Sequence, residues 1–118
     1  MFKVIIAGGR DFTDYDLLKT TVTKLVAKYE AKDITIVSGT ARGADQMGER
    51  LAKEMGWNVE EYPAKWDLYG KSAGYKRNEL MAQNAHGVIA FWDGKSRGTE
   101  HMINIARKQS LHLHIEKY

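Results

Sequence analysis

The chain has 118 residues, no cysteine, and eighteen basic against fifteen acidic side chains, for a net charge of +3. That length argues for one domain, 1–118, with interior enough to fold without staples, and the missing cysteine excludes disulfides and thiolate metal sites. The charge is small and scattered, which makes nucleic acid an unexpected partner, and the apolar start MFKVIIAGG is too short for a signal peptide or a membrane span. A cytoplasmic protein with no membrane partner is therefore expected.

The first element is KVIIAG, Lys3 to Gly8, apolar on both faces and therefore a buried strand. Thr13 or Asp14 caps a helix carrying Leu18, Val22, Leu25, Val26 and Tyr29 at helical spacing. DITIVSG, Asp33 to Gly39, is a second buried strand. A second helix sets Ala44, Met47, Leu51, Ala52 and Met55 on one face and stops at Gly56. Asn58 to Tyr62 is a third strand, closed by Pro63, the only proline. Pro63 to Gly74 is the longest connection. A third helix is expected from about Tyr75 to Ala85, with Leu80, Met81, Asn84 and Ala85 along one side. GVIAFW, Gly87 to Trp92, is the fourth strand; a helix then runs to about Gln109, and Leu111 to Ile115 is a fifth, edge strand. The alternation predicts an α/β fold, a Rossmann-like three-layer sandwich with a five-stranded parallel sheet in the order 3-2-1-4-5 and helices on both faces.

In such a fold, ligands sit at the carboxyl ends of the strands, where the strand order reverses. Four segments meet there. Gly8, Gly9, Arg10 and Asp11 follow the first strand, and glycine lets backbone approach a ligand. SGTARGAD offers Ser38, Gly39, Arg42, Gly43 and Asp45 at a helix start, where N–H groups and the helix dipole suit an anion. The long loop carries Trp66, Tyr69, Lys71 and Ser72, followed by Arg77 and Asn78 in the next helix; aromatics among cations suit base stacking and phosphate pairing. FWDGKSRGTEHMI adds Asp93, Ser96, Arg97, Gly98 and Thr99 at another helix start. Two strand ends thus lead through Arg-Gly into a helix, an arrangement for phosphate. Each segment also has a purely local role available: a tight turn for Asp11, a cover over the sheet for Trp66 and Tyr69, a cap by Ser96 or Thr99.

No P-loop, no G-x-G-x-x-G after the first strand and no G-x-S-x-G elbow occurs. His86, His101, His112 and His114 lack ligand spacing, so no metal site and no cofactor are expected, and the histidines are read as solvated. Met- and aromatic-bearing helices on a small α/β chain make a homo-oligomer the expected state.

Taken together, GGRDFTDYDLL, SGTARGAD, PAKWDLYGKSAGYKRN and FWDGKSRGTEHMI resemble the cpYpsA-related SLOG proteins of the YspA type. Their superfamily includes the Lonely Guy phosphoribohydrolases and the DNA-processing protein A domain. The resemblance implies a Rossmann-like fold and a nucleotide or nucleotide-derived ligand, without implying one reaction. The Lonely Guy enzymes carry an Arg at a helix start, an Ala-Asp, and a PGGxGTxxE loop. Arg77, Ala85-His86 and Gly98-Thr99 fit these positions, but the loop here is longer by two residues and the motif Glu is Met102. Glu100 lies two positions away, turned by about 200° on a helix.

The resulting expectation is a binding module for a nucleotide-derived ligand, acting as sensor, carrier or sequestering protein. The alternative is a nucleotide N-glycosidase, with Arg77 and Glu100 as the catalytic candidates and Asp93 and Asp45 as further acids. A DNA-binding domain stands behind both.

Overall fold

The computed structural model describes Met1 to Tyr118. Strands β1 (Phe2–Gly8), β2 (Ile34–Ser38), β3 (Asn58–Glu61), β4 (Gly87–Trp92) and β5 (His112–Lys117) form one sheet in the order β3-β2-β1-β4-β5. Every neighbouring pair is parallel. The expected Rossmann-like architecture and strand order are therefore those of the molecule.

Alternation along β1 builds both cores. Val4 and Ile6 join Leu18, Val22 and Leu51 under helices α1 (Tyr15–Leu25) and α2 (Ala44–Met55). Ile5 and Ala7 join Met81, Met102 and Ile103 under α4 (Ala73–Gln83) and α5 (Arg97–Lys108). Burying each such aliphatic side chain contributes about 1.5–3 kcal/mol, so the central strands hold the layers together. Asp14 caps α1 by accepting the Leu17 N–H at 3.0 Å. Gly56, left-handed at φ 74°, ends α2.

Several local expectations are corrected. Helix α1 stops at Leu25, which is exposed, and Tyr29 reaches the core from beyond the helix by stacking on Phe2 at 4.7 Å. The connection after β3 contains a short helix, α3 (Trp66–Tyr69), and a single 3₁₀ turn over Gly70–Ser72. Helix α4 begins two residues before Tyr75 and buries Asn78, Met81 and Ala82, while Leu80 and Asn84 face solvent. The α4–α5 contact selects one stripe of α4, and Leu80 is about 100° from Met81 around the helix. Strand β5 is shifted toward the C-terminus and pairs Gly87 with His112 through Trp92 with Lys117. No helix is long and apolar enough to cross a membrane.

Candidate functional site

At the carboxyl ends of the strands, where β1 separates β2 from β4, the loops after β1, β2 and β4 and the segment from α3 into α4 enclose a cavity of about 530 Å³. Of the residues expected there, Gly8, Gly9, Arg10, Asp11, Asp45, Trp66, Lys71, Arg77, Asn78, Ser96, Gly98 and Thr99 form its wall. Ser38, Gly39, Arg42, Gly43, Ser72, Asp93 and Arg97 do not.

Arg77 is central. It projects from α4 toward the end of β2, where its Nη1 donates to the Gly39 carbonyl at 2.6 Å and its Nε donates to Asn78 Oδ1 at 3.0 Å. Asn78 Nδ2 in turn donates to the Gly98 carbonyl at 3.3 Å, tying α4 to the start of α5. The guanidinium Nη2 has no protein hydrogen-bond partner, and Gly74 leaves the space between it and the Trp66 ring free of a side chain. Burial lowers the Arg77 pKa, Asp45 opposes that shift and Arg10 adds to it.

Asp45 lies on the other side of Gly39. A Cβ at Gly39 would stand 2.7 Å from both Arg77 Nη1 and Asp45 Oδ2, so the absence of a side chain there lets the two charged groups converge. Asp45 is 7% exposed and accepts the Ala41 N–H at 3.3 Å. Burial pushes its carboxyl up to about 6 against the pull of Arg77 and the Ala41 N–H, with Glu49 adding to the rise.

Three cations converge on this cavity. Elsewhere, ion pairs join Lys3 to Glu60, Lys19 to Glu54 and Lys32 to Glu30, and His114 Nε2 lies 3.1 Å from Glu116 Oε1. Arg10, Lys71 and Arg77, the three cations of the cavity wall, take part in none. Across from them, Ser96 precedes α5, and Gly98 and Thr99 of its first turn line the cavity. Thr99 is buried with its hydroxyl 3.1 Å from Ser96 Oγ.

The residues outside the wall have identifiable local roles. Ser38 is fully buried; its Oγ donates to Glu49 at 2.5 Å and accepts the Thr40 N–H at 3.0 Å, fixing the turn after β2. That turn passes through positive φ at Thr40 and Gly43 to set Ala44 against Gly8, which leaves Arg42 exposed to solvent. Gly43 lies against the backbone of Gly9 and Arg10 instead of lining the cavity. Ser72 Oγ donates to the Tyr69 carbonyl, and Arg97 is exposed. Asp93 accepts the Lys95 and Ser96 N–H groups, both at 2.8 Å, and these bonds hold its carboxyl below the usual range.

Among the catalytic candidates, Glu100 is exposed and outside the cavity, whereas Met102 is buried and lines it. The extra loop residues do not rotate Glu100 inward. His101, read from sequence as solvated, packs its ring on Tyr75 at 4.4 Å and lies 3.2 Å from Asn78 Nδ2, and burial lowers its pKa. Tyr75 and Ala41 also line the cavity; nothing in their spacing distinguishes them from ordinary helix and loop residues. No cluster of three His, Asp or Glu side chains is placed to hold a metal ion.

The same fold occurs in DNA processing protein A from Streptococcus pneumoniae, with a TM-score of 0.79 at 18% identity over 98% of this chain and 50% of that one. It occurs again in DNA processing protein A from Helicobacter pylori, a protein described with a unique single-stranded DNA binding mode. There the TM-score is 0.69 at 21% identity over 97% of this chain and 64% of that one. The chain thus spans less than two-thirds of either structure. No curated protein matches it. A family model matches residues 2–69, which carry the loops after β1 and β2 and the α3 segment with Trp66. By that match the chain belongs to the YspA, cpYpsA-related SLOG family.

Proposed function

We propose that the cavity binds a nucleotide or nucleotide-derived ligand and that the protein acts as its sensor, carrier or sequestering partner. The observation that carries this reading is the convergence of three cations, Arg10, Lys71 and Arg77, on one cavity wall, with Arg77 held by Nε and Nη1 and its Nη2 free. Cations converging on a concave surface, one of them with a free N–H edge, suit an anionic ligand. The ligand phosphate lies between Arg77 Nη2 and the first turn of α5, where the helix dipole adds roughly half a positive charge. Trp66, half exposed at the rim, stacks on the base. Asp11 and Asp45 accept hydrogen bonds from ribose hydroxyls or base N–H groups.

This reading keeps the protein in the cytoplasm, in line with a chain free of cysteine. Native mass spectrometry of protein purified from cells tests the ligand. A bound mass in the nucleotide range is expected, lost in Arg77→Ala. Protein free of ligand that also fails to bind added nucleotides overturns the reading.

A second reading, binding of single-stranded DNA, draws support from the H. pylori protein of the same fold and runs against the expectation, drawn from the small scattered charge, that nucleic acid is an unexpected partner. Exposed aromatics beside cations at Trp66, Tyr69, Lys71 and Lys76 also suit a single strand. The two readings separate by salt. Binding along several phosphates loses affinity steeply as salt rises, whereas one phosphate in a cavity loses little.

A further inference from the structure

A second cavity, of about 490 Å³, lies on the other flank of α4, between that helix, α3 and the end of β3. The two cavities share one residue, Arg77. Helix α3 runs between them and divides its aromatics: Trp66 lines the first cavity and Tyr69 the second. The flanking cations divide in the same way, Lys71 to the first and Lys65 with Lys76 to the second. Tyr69 is 44% exposed and Lys76 Nζ stands 4.9 Å from its ring centroid, so a cation and an aromatic face are presented together.

The second cavity repeats the charge pattern of the first: Lys65, Lys76 and Arg77 face Glu61 and Glu79, as Arg10, Lys71 and Arg77 face Asp11 and Asp45. An exposed aromatic ring beside two carboxylates suits a nucleoside, whose base can stack and whose hydroxyl and N–H groups donate to carboxylates, and Arg77, common to both cavities, lies where a linking phosphate would be shared. Building on the nucleotide reading above, we propose that the two cavities are subsites for one ligand with two nucleoside units joined by a phosphate. The phosphate contacts Arg77, one base stacks on Trp66, and the other stacks on Tyr69. A free dinucleotide and a segment of single strand share this chemistry.

Calorimetric titration with AMP, with the 5′-phosphorylated dinucleotide pApA and with an eight-residue oligodeoxyadenylate tests the assignment. Stacking of one base on an aromatic side chain is worth about tenfold or more in affinity. The dinucleotide therefore binds at least tenfold tighter than AMP. Tyr69→Ala removes that advantage and leaves AMP affinity unchanged; Trp66→Ala weakens both ligands. Both side chains are about half exposed, so the variants fold, and their melting temperatures check this. An octamer no tighter than pApA assigns the free dinucleotide, and a further gain with length assigns the single strand. Equal affinity for AMP and pApA overturns the two-subsite inference while leaving the nucleotide reading in place. If neither ligand binds, both fall together.

Discussion

Arg77 holds its position through the Gly39 carbonyl and Asn78, which leaves Nη2 for a ligand. A charge-assisted hydrogen bond contributes about 1.5–3 kcal/mol, so Arg77→Ala weakens nucleotide binding by about 10- to 150-fold in calorimetry while unfolding stays cooperative. Unchanged affinity removes Arg77 from the site. Asp45 gives the opposite kind of test. Its folded carboxyl titrates near 6 and its ordinary value is 3.8, so the folded state holds the proton more tightly than the unfolded chain. The associated stability is present in full below 3.8, is lost as pH rises toward 6, and is gone above that. The shift corresponds to about 3 kcal/mol at 1.36 kcal/mol per pKa unit. Asp45→Asn, which keeps an acceptor for Ala41, is therefore expected to raise the melting temperature at pH 7.5 and to change it little at pH 3.5. An equal change at both pH values contradicts this account. A buried carboxylate that costs stability is the kind of local misfit found at functional sites.

The helix starts set the cavity wall, and two glycines separate conformation from contact. Gly43 precedes α2 at φ 81°, and a Cβ there would stand 2.2 Å from the Gly9 carbonyl oxygen. Gly56 ends the same helix at φ 74° with open space around it. In denaturant unfolding, Gly56→Ala is expected to cost about 1 kcal/mol, the left-handed penalty alone. Gly43→Ala costs more than 2 kcal/mol, because the loop after β1 must move as well. Equal costs would show that the Gly9–Gly43 approach is soft. At the start of α5, Met102 lines the cavity and Glu100 points to solvent. A thioether cannot balance an oxocarbenium ion, so pure protein is expected to release no free base from AMP, GMP, CMP or UMP at rates above about 1 s⁻¹. Faster release, measured by chromatography and abolished in Glu100→Ala, would restore the hydrolase reading. Ser96, Gly98 and Thr99 were legible as wall residues because a helix start announces itself through glycine and short polar residues. Helix α3 was not legible, since four residues carry no period. Nor was the role of His101, whose Asn78 and Tyr75 partners lie on another helix.

For the whole molecule, β-branched runs ending in glycine and separated by helix-period segments were enough to predict the five parallel strands and their order. The sequence left open which loop residues turn inward. Arg42 and Arg97 have the same local pattern as a phosphate site, yet both are exposed, because Ala44 and Thr99 are the residues that pack inward beside them. Arg77 sits inside a helix without any such motif, and it reaches the carboxyl end of the sheet because α4 crosses over β1 and β2. Two cavities on either side of that helix raise the question of which one a nucleotide enters first. The central claim, a nucleotide at the carboxyl ends of the strands, is tested most directly by amide chemical-shift mapping of ¹⁵N-labelled protein titrated with AMP. The account predicts saturable shifts at Gly9, Arg10, Ala41, Arg77, Gly98 and Thr99. Shifts confined to the opposite end of the sheet, around Phe2, Tyr29 and His112, or no shifts at millimolar AMP, would contradict it.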